Sequence, residues 1–168
     1  MSIKKTLLII IFSIIFSTAN AEENLKSLGK FKDWESFLLL QEGNKVCFAQ
    51  SIPVVKAPKK FKREPSRLFV SFRPAKDIKD EVSVTNGYEF KLKAPVAAKS
   101  GKKSFDLFSK GRFAWVVDGK DEKKLISAMK KASRLMIVGN SEKGTQTTDH
   151  YSMMGFTKAY NSAKKSCI

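Results

Sequence analysis

The sequence predicts a mainly β protein: a single-domain antiparallel β-sandwich or curled sheet with one crossing helix and a C-terminal helix. Short runs of aromatic and β-branched residues fill the first two thirds of the chain, and such residues suit a pleated, half-buried surface. An Asn86-Gly87 pair sits between two apolar–polar alternations, a hairpin signal because both positions tolerate positive φ. Helical spacing of apolar residues appears only in the last third. Strands in succession followed by helices fit a sheet covered by a few helices.

In chain order, residues 28–34 form a weak strand candidate with Gly29 near its start, and Val46-Cys47-Phe48-Ala49 a second. The Pro-punctuated residues 53–66 read as an exposed loop. Leu68-Phe69-Val70-Ser71-Phe72 is a strand, and residues 82–92 read as a hairpin turning at Asn86-Gly87. Residues 93–104 are turn-rich. Residues 104–108 and 112–117 read as a strand pair turning at Lys110-Gly111. Leu125, Ile126, Met129 and Ala132 then recur at helical spacing. Asp121 and Glu122 sit where the helix would begin and Lys130, Lys131 and Arg134 where it would end, which complements the helix dipole. Residues 134–138 return to a strand, and residues 145–148 form a last one. From about Met153, Phe156, Ala159, Tyr160, Ala163 and Cys167 share one helical face, with Ser152 the candidate N-cap.

The first 21 residues have the order of a secretory signal peptide cut after Ala21. Lys4 and Lys5 precede an apolar run from Leu7 to Phe16, and Ala19-Asn20-Ala21 supplies the small residues. The run is shorter than the roughly 20 residues a membrane span needs. Residues 22–168 are then one exported β domain without a transmembrane segment, expected in the periplasm, associated with the outer envelope or secreted. Cys47 and Cys167 are the only cysteines, and in an oxidising compartment an even count suggests pairing. Closing so long a loop is worth about 5 kcal/mol on the chain-entropy model. Two cysteines and one histidine fall short of a usual tetrahedral metal set, so neither metal nor cofactor is expected.

The chain carries 32 Lys+Arg against 16 Asp+Glu, and loss of Lys4 and Lys5 takes the formal charge from +16 to +14. Such a surface attracts polyanions. Export removes nucleic acid as the expected partner and leaves an anionic envelope lipid, a polysaccharide or an acidic protein. The densest bases are Lys56, Lys59, Lys60, Lys62, Arg63 and Arg67, with Glu64 as the one acid among them. With Phe61 in their midst, these residues are the candidate anion site, because lysines meet acidic headgroups while an aromatic ring dips into the interface. A second basic group is Lys99, Lys102 and Lys103.

Several segments together resemble the invasion-associated locus B family of bacterial envelope proteins. They are Trp34, Val46-Cys47-Phe48-Ala49-Gln50-Ser51, Ser71-Phe72-Arg73-Pro74, Glu81-Val82-Ser83 with Gly87-Tyr88, Ala128-Met129-Lys130, the stretch from Ser141 to Phe156, and Cys167. The most specific part holds Gly144, Thr145, Asp149, Tyr151, Ser152, Gly155 and Phe156. The resemblance implies a periplasmic or outer-envelope protein, named for host-cell invasion, with no reaction or cofactor attached. His150 stands where the family segment usually has Thr.

Asp149, His150 and Ser152 supply the side-chain types of a hydrolase triad, but neighbours in sequence rarely adopt the required geometry. They read better as turn and capping groups. Lys143-Gly144-Thr145 lacks the rest of a phosphate loop. Trp34, Trp115, Tyr88 and Tyr151 offer stacking surface for sugar, although core packing is the default for large aromatics. The expected function is non-enzymatic binding of an anionic envelope component or partner protein. The alternatives are an accessory protein with an apolar contact surface and, third, a hydrolase.

Overall fold

The structure, a computed structural model, describes residues 24–168, and the signal peptide expected at residues 1–21 lies outside the described residues. Eleven strands and two helices follow in chain order: β1 (Asn24–Phe31), β2 (Trp34–Gln41), β3 (Asn44–Ser51), β4 (Val55–Ala57), β5 (Arg67–Arg73), β6 (Ile78–Thr85), β7 (Val96–Ser100), β8 (Lys103–Lys110), β9 (Phe113–Val116), α1 (Gly119–Lys131), β10 (Arg134–Asn140), β11 (Gln146–Ser152) and α2 (Phe156–Cys167). All strands join one antiparallel sheet in the order β1-β2-β3-β5-β6-β9-β8-β7-β10-β11-β4. The sheet is not closed, so the curled sheet rather than the two-sheet sandwich is the architecture. Its curl brings distant strands together: the Trp34 indole N–H donates to the Ser152 carbonyl at 2.8 Å, although β2 and β11 lie near opposite edges.

The inner face wraps one core. Alternation along β5 buries Leu68, Val70 and Phe72 and leaves Phe69 and Ser71 outside. Helix α2 lies on β1, β2, β3 and β5 and buries Phe156, Ala159, Tyr160, Ala163 and Cys167, the predicted stripe. Phe156 packs on Trp34 at 4.8 Å between ring centroids, and Tyr160 on Phe72 at 5.4 Å. The Cys47–Cys167 disulfide fastens the last turn of α2 to β3. Helix α1 starts at Asp118, whose carboxylate accepts from the Lys120 amide at 2.7 Å, and it packs Leu125 and Met129 over β6 and β9. Among the described residues no helix is long and apolar enough to cross a membrane.

Several local expectations are corrected. The strand candidate at residues 28–34 is strand as far as Phe31, the end of β1, but residues 32–33 then turn, with Lys32 in the left-handed region, and Trp34 begins β2. Residues 82–92 do not form a hairpin, because β6 pairs with β5 and β9 and residues 88–92 make only an isolated bridge from Phe90 to Ser141. Asn86 is fully buried, and its amide donates to the Tyr88 hydroxyl at 3.2 Å and to Thr147 at 3.3 Å. Gly87 instead meets another segment, since a Cβ there would lie 2.0 Å from the Glu64 carbonyl oxygen. The Asn-Gly pair thus serves a long-range crossing. The residues read as loops at 53–66 and 93–104 contain β4 and β7. Ser152 ends β11 rather than capping α2. Its hydroxyl accepts from the Met154 amide at 3.2 Å, while Gly155 is the N-cap, with φ +90° and no side-chain cap.

Candidate functional site

The structure brings the basic loop and the most specific family segment together. Strand β4 pairs with β11, setting Val55 against His150 and Lys56 against Asp149. From β4 the chain crosses the sheet edge and enters β5. On the way, Phe61 turns inward and packs against the core, 6.0 Å from the Tyr88 ring. The Glu64 amide donates to the Gly87 carbonyl at 3.1 Å.

Arg63 fixes this crossing. Along β11, Thr147, Asp149 and Tyr151 are buried and their alternate neighbours are not, so the Asp149 carboxylate enters the interior. An anion there needs a partner. Arg63 forms a bidentate pair with it: Nη1 donates to Oδ2 at 2.8 Å and Nη2 donates to Oδ1. Nη1 also donates to the Asn86 carbonyl at 2.7 Å and to Ser66 Oγ at 2.9 Å. The two side chains are 2% and 0% exposed. Arg63 therefore leaves the candidate anion site, because its charge is spent inside the fold. Nearby, Tyr88 and Thr147 share a 2.7 Å hydroxyl contact. Burial first raises the pKa of the Tyr88 hydroxyl, and it raises that of Tyr151 further with help from the Asp149 charge.

The remaining bases take two positions. Lys56, Lys59, Lys60 and Lys62 are exposed, while Arg67 is half-buried on the outer face of β5. Glu64, the acid within the loop, pairs with Arg112 at 2.9 Å and leaves the lysines unneutralised. Phe61 is not presented as a membrane-dipping ring, since its packing on the core occupies it.

The hydrolase arrangement is not assembled. Asp149 faces inward and is held by Arg63, whereas His150 and Ser152 fall on the other face of β11. The His150 Nδ1 atom is buried without a partner. Among the described residues no group of three or more His, Cys, Asp or Glu side chains could hold a metal ion. The family segment instead does architectural work. Gly144 and Thr145 form the turn entering β11, with the Thr145 amide donating to Ser141 Oγ at 3.1 Å. At Gly155 a Cβ would lie 1.7 Å from the Phe31 carbonyl oxygen, so only glycine lets α2 begin against β1. Phe156 is fully buried. Of the four aromatics offered for sugar stacking, Trp34, Tyr88 and Tyr151 are core residues and Trp115 is half-buried on the outer face. The Arg63–Asp149 pair escaped sequence reasoning. Its available signal was Asp149 on the inward phase of the Thr147, Asp149, Tyr151 alternation.

The family model described as invasion associated locus B (IalB) protein matches residues 34–164, most of the chain. No curated protein and no solved structure matches. The matched span runs from Trp34 in β2 to Lys164 in the last turn of α2, and so includes the Arg63–Asp149 junction and all but the last residues of the sheet-covering helix. The chain belongs to the invasion associated locus B family.

Proposed function

We propose, with that membership as premise, that the chain is an exported envelope protein that binds an anionic cell-surface component and catalyses no reaction. The lysines at positions 59, 60 and 62 are the contact. The observation that supports this is how the loop is held: Arg63 and Phe61 tie it to the core while the lysines between and beside them stay in solvent. A pinned loop presents charge without a large ordering cost on binding. Lysine suits a diffuse anionic surface better than a single geometry-specific anion. The periplasm or outer envelope, reached after cleavage at Ala21, is the compartment this reading requires.

Co-sedimentation of the mature protein with anionic and neutral vesicles, and with purified envelope polysaccharide, tests it at low and high salt. The comparison variant is Lys59→Gln/Lys60→Gln/Lys62→Gln, which spares Arg63 and hence the fold. Binding should fall steeply with salt and be lost in the variant. Equal binding by the variant, or none at low salt, rejects the loop as the contact. A second reading, an accessory protein with an apolar contact surface, is favoured by the aromatic outer face of the sheet. Its binding would persist at high salt.

A further inference from the structure

The outer face of the sheet is unusually aromatic. Phe37 of β2 stands opposite Phe48 of β3, and their rings stack at 5.3 Å with 23° between planes. Phe48 meets Phe69 of β5 edge-on at 6.1 Å. Beyond β6, Phe113 and Trp115 stack at 5.9 Å and 28°. Phe113 is 40% exposed, and Phe108, opposite Trp115 on β8, is 58% exposed. Contiguous exposed apolar surface of this kind marks an interaction site.

Small residues split the aromatics into two walls. Ser83 of β6 lies opposite Phe69 on one side and Trp115 on the other. Those two rings therefore rise from strands two spacings apart, about 9.5 Å, with only a hydroxymethyl group between them. Ser71 makes the same gap beside Phe48. The result is a groove of about 300 Å³, ended by the Arg73–Glu81 ion pair. Ser83 is 7% exposed, and neither its hydroxyl nor that of Ser71 has a protein partner among the described residues. The Arg73 Nε is also buried and unpaired. Mostly apolar walls with a few convergent polar groups are the composition of a ligand site.

We propose that this groove binds a sugar ring of an envelope polysaccharide. The aromatic walls take the C–H faces of a pyranose, while Ser71, Ser83 and the Arg73–Glu81 pair take its hydroxyls. Charge argues for this occupant. The pair in the groove is internally neutral, so a charged group gains nothing there and an uncharged, hydroxyl-rich one can use both partners. A lipid chain would strip water from the ion pair without replacing its hydrogen bonds. A second copy carries the same large positive charge and is repelled, whereas acidic groups elsewhere along a polysaccharide are attracted. The site is separate from the lysine loop and stands if the loop reading fails.

Trp34 is fully buried beneath α2, so changes in tryptophan emission on ligand addition report Trp115. The mature protein is titrated with an N-acetylglucosamine tetrasaccharide, a soluble glucan and lipid-free envelope polysaccharide. At least one should shift the emission saturably and reduce acrylamide quenching about twofold, and any response to the two uncharged sugars should be the same at low and high salt. Ser83→Val, which fills the floor, and Phe113→Ala, a surface change that spares folding, should each weaken binding tenfold or more. The lysine-loop variant should bind the tetrasaccharide and the glucan, which carry no charge, as the parent does. No response to any of the three, undiminished binding in Phe113→Ala, or a response that follows protein concentration and not sugar concentration overturns the proposal.

Discussion

Arg63 and Asp149 are worth more together than either is alone. Each is a charge removed from water, and the bidentate geometry with two further acceptors compensates both. Arg63→Ala or Asp149→Ala leaves one buried charge unpaired and should cost about 3–5 kcal/mol, read as a fall in the urea midpoint at unchanged slope. Arg63→Met/Asp149→Leu, which removes both charges, should recover most of that loss. A single-variant cost below about 1 kcal/mol would mean the pair is not desolvated. By contrast Lys59→Gln, Lys60→Gln and Lys62→Gln should each stay within about 0.5 kcal/mol. In the sequence these four bases look alike, since composition cannot show which one meets an acid 86 positions away. The inward phase of Asp149 lies in the alternation along residues 147–151, but the last strand was expected to end at residue 148 and Asp149 to serve a turn, and no local pattern carries its partner.

Helix α1 and strand β6 are joined through one carboxylate, with the Val82 amide donating to Glu122 Oε1 at 2.7 Å. Burial pushes the Glu122 pKa up to about 6, the Val82 hydrogen bond opposes that, and the neighbouring Glu81 and Asp80 charges add to it. Its unfolded value is 4.5, so between pH 4.5 and 6 the folded state holds more protons. Stability from this group is therefore highest below about 4.5 and falls as pH rises to about 6. Glu122→Gln keeps an oxygen acceptor for Val82 and removes the charge. Its stability relative to the parent should rise across that window in urea titrations at successive pH values. A parallel pair of curves would contradict it. The elements themselves were unevenly legible. The stripes of α1 and α2 and the strand pair β8–β9 follow from local periodicity, and they form where local preference and burial agree. Residues 82–92 failed because Asn86 and Gly87 answer to Glu64 and Thr147, contacts that no local pattern contains. The aromatic groove was hidden for a related reason. Phe48 and Phe69 were visibly on the phase opposite Cys47 and Val70, but Trp115 joins them only once β6 and β9 are known to be neighbours.

The covalent bond from β3 to the end of α2 closes nearly the whole described chain, with 120 positions between its ends. An open sheet needs such a fastening more than a closed barrel does. The β1 and β4 edges have no strand-to-strand closure, and the curl is held by α2, by the Trp34–Ser152 hydrogen bond and by this disulfide. The pairing was legible from cysteine count and inferred export, whereas the strand order that makes it useful was not. Mass spectrometry of protein isolated from the native envelope should give a chain beginning at Glu22 and two hydrogens lighter than its reduced form. A chain retaining Met1 would remove the compartment in which the bond forms, and two alkylatable thiols would remove the bond. Cys47→Ala/Cys167→Ala should lose about 2–5 kcal/mol, chiefly through a freer unfolded chain. Its far-UV circular dichroism should stay β-dominated, because Phe156 and Tyr160 still seat α2 on Trp34 and Phe72. If the variant instead lost its native spectrum, the disulfide would be a condition of the curl and not only a constraint on the unfolded state.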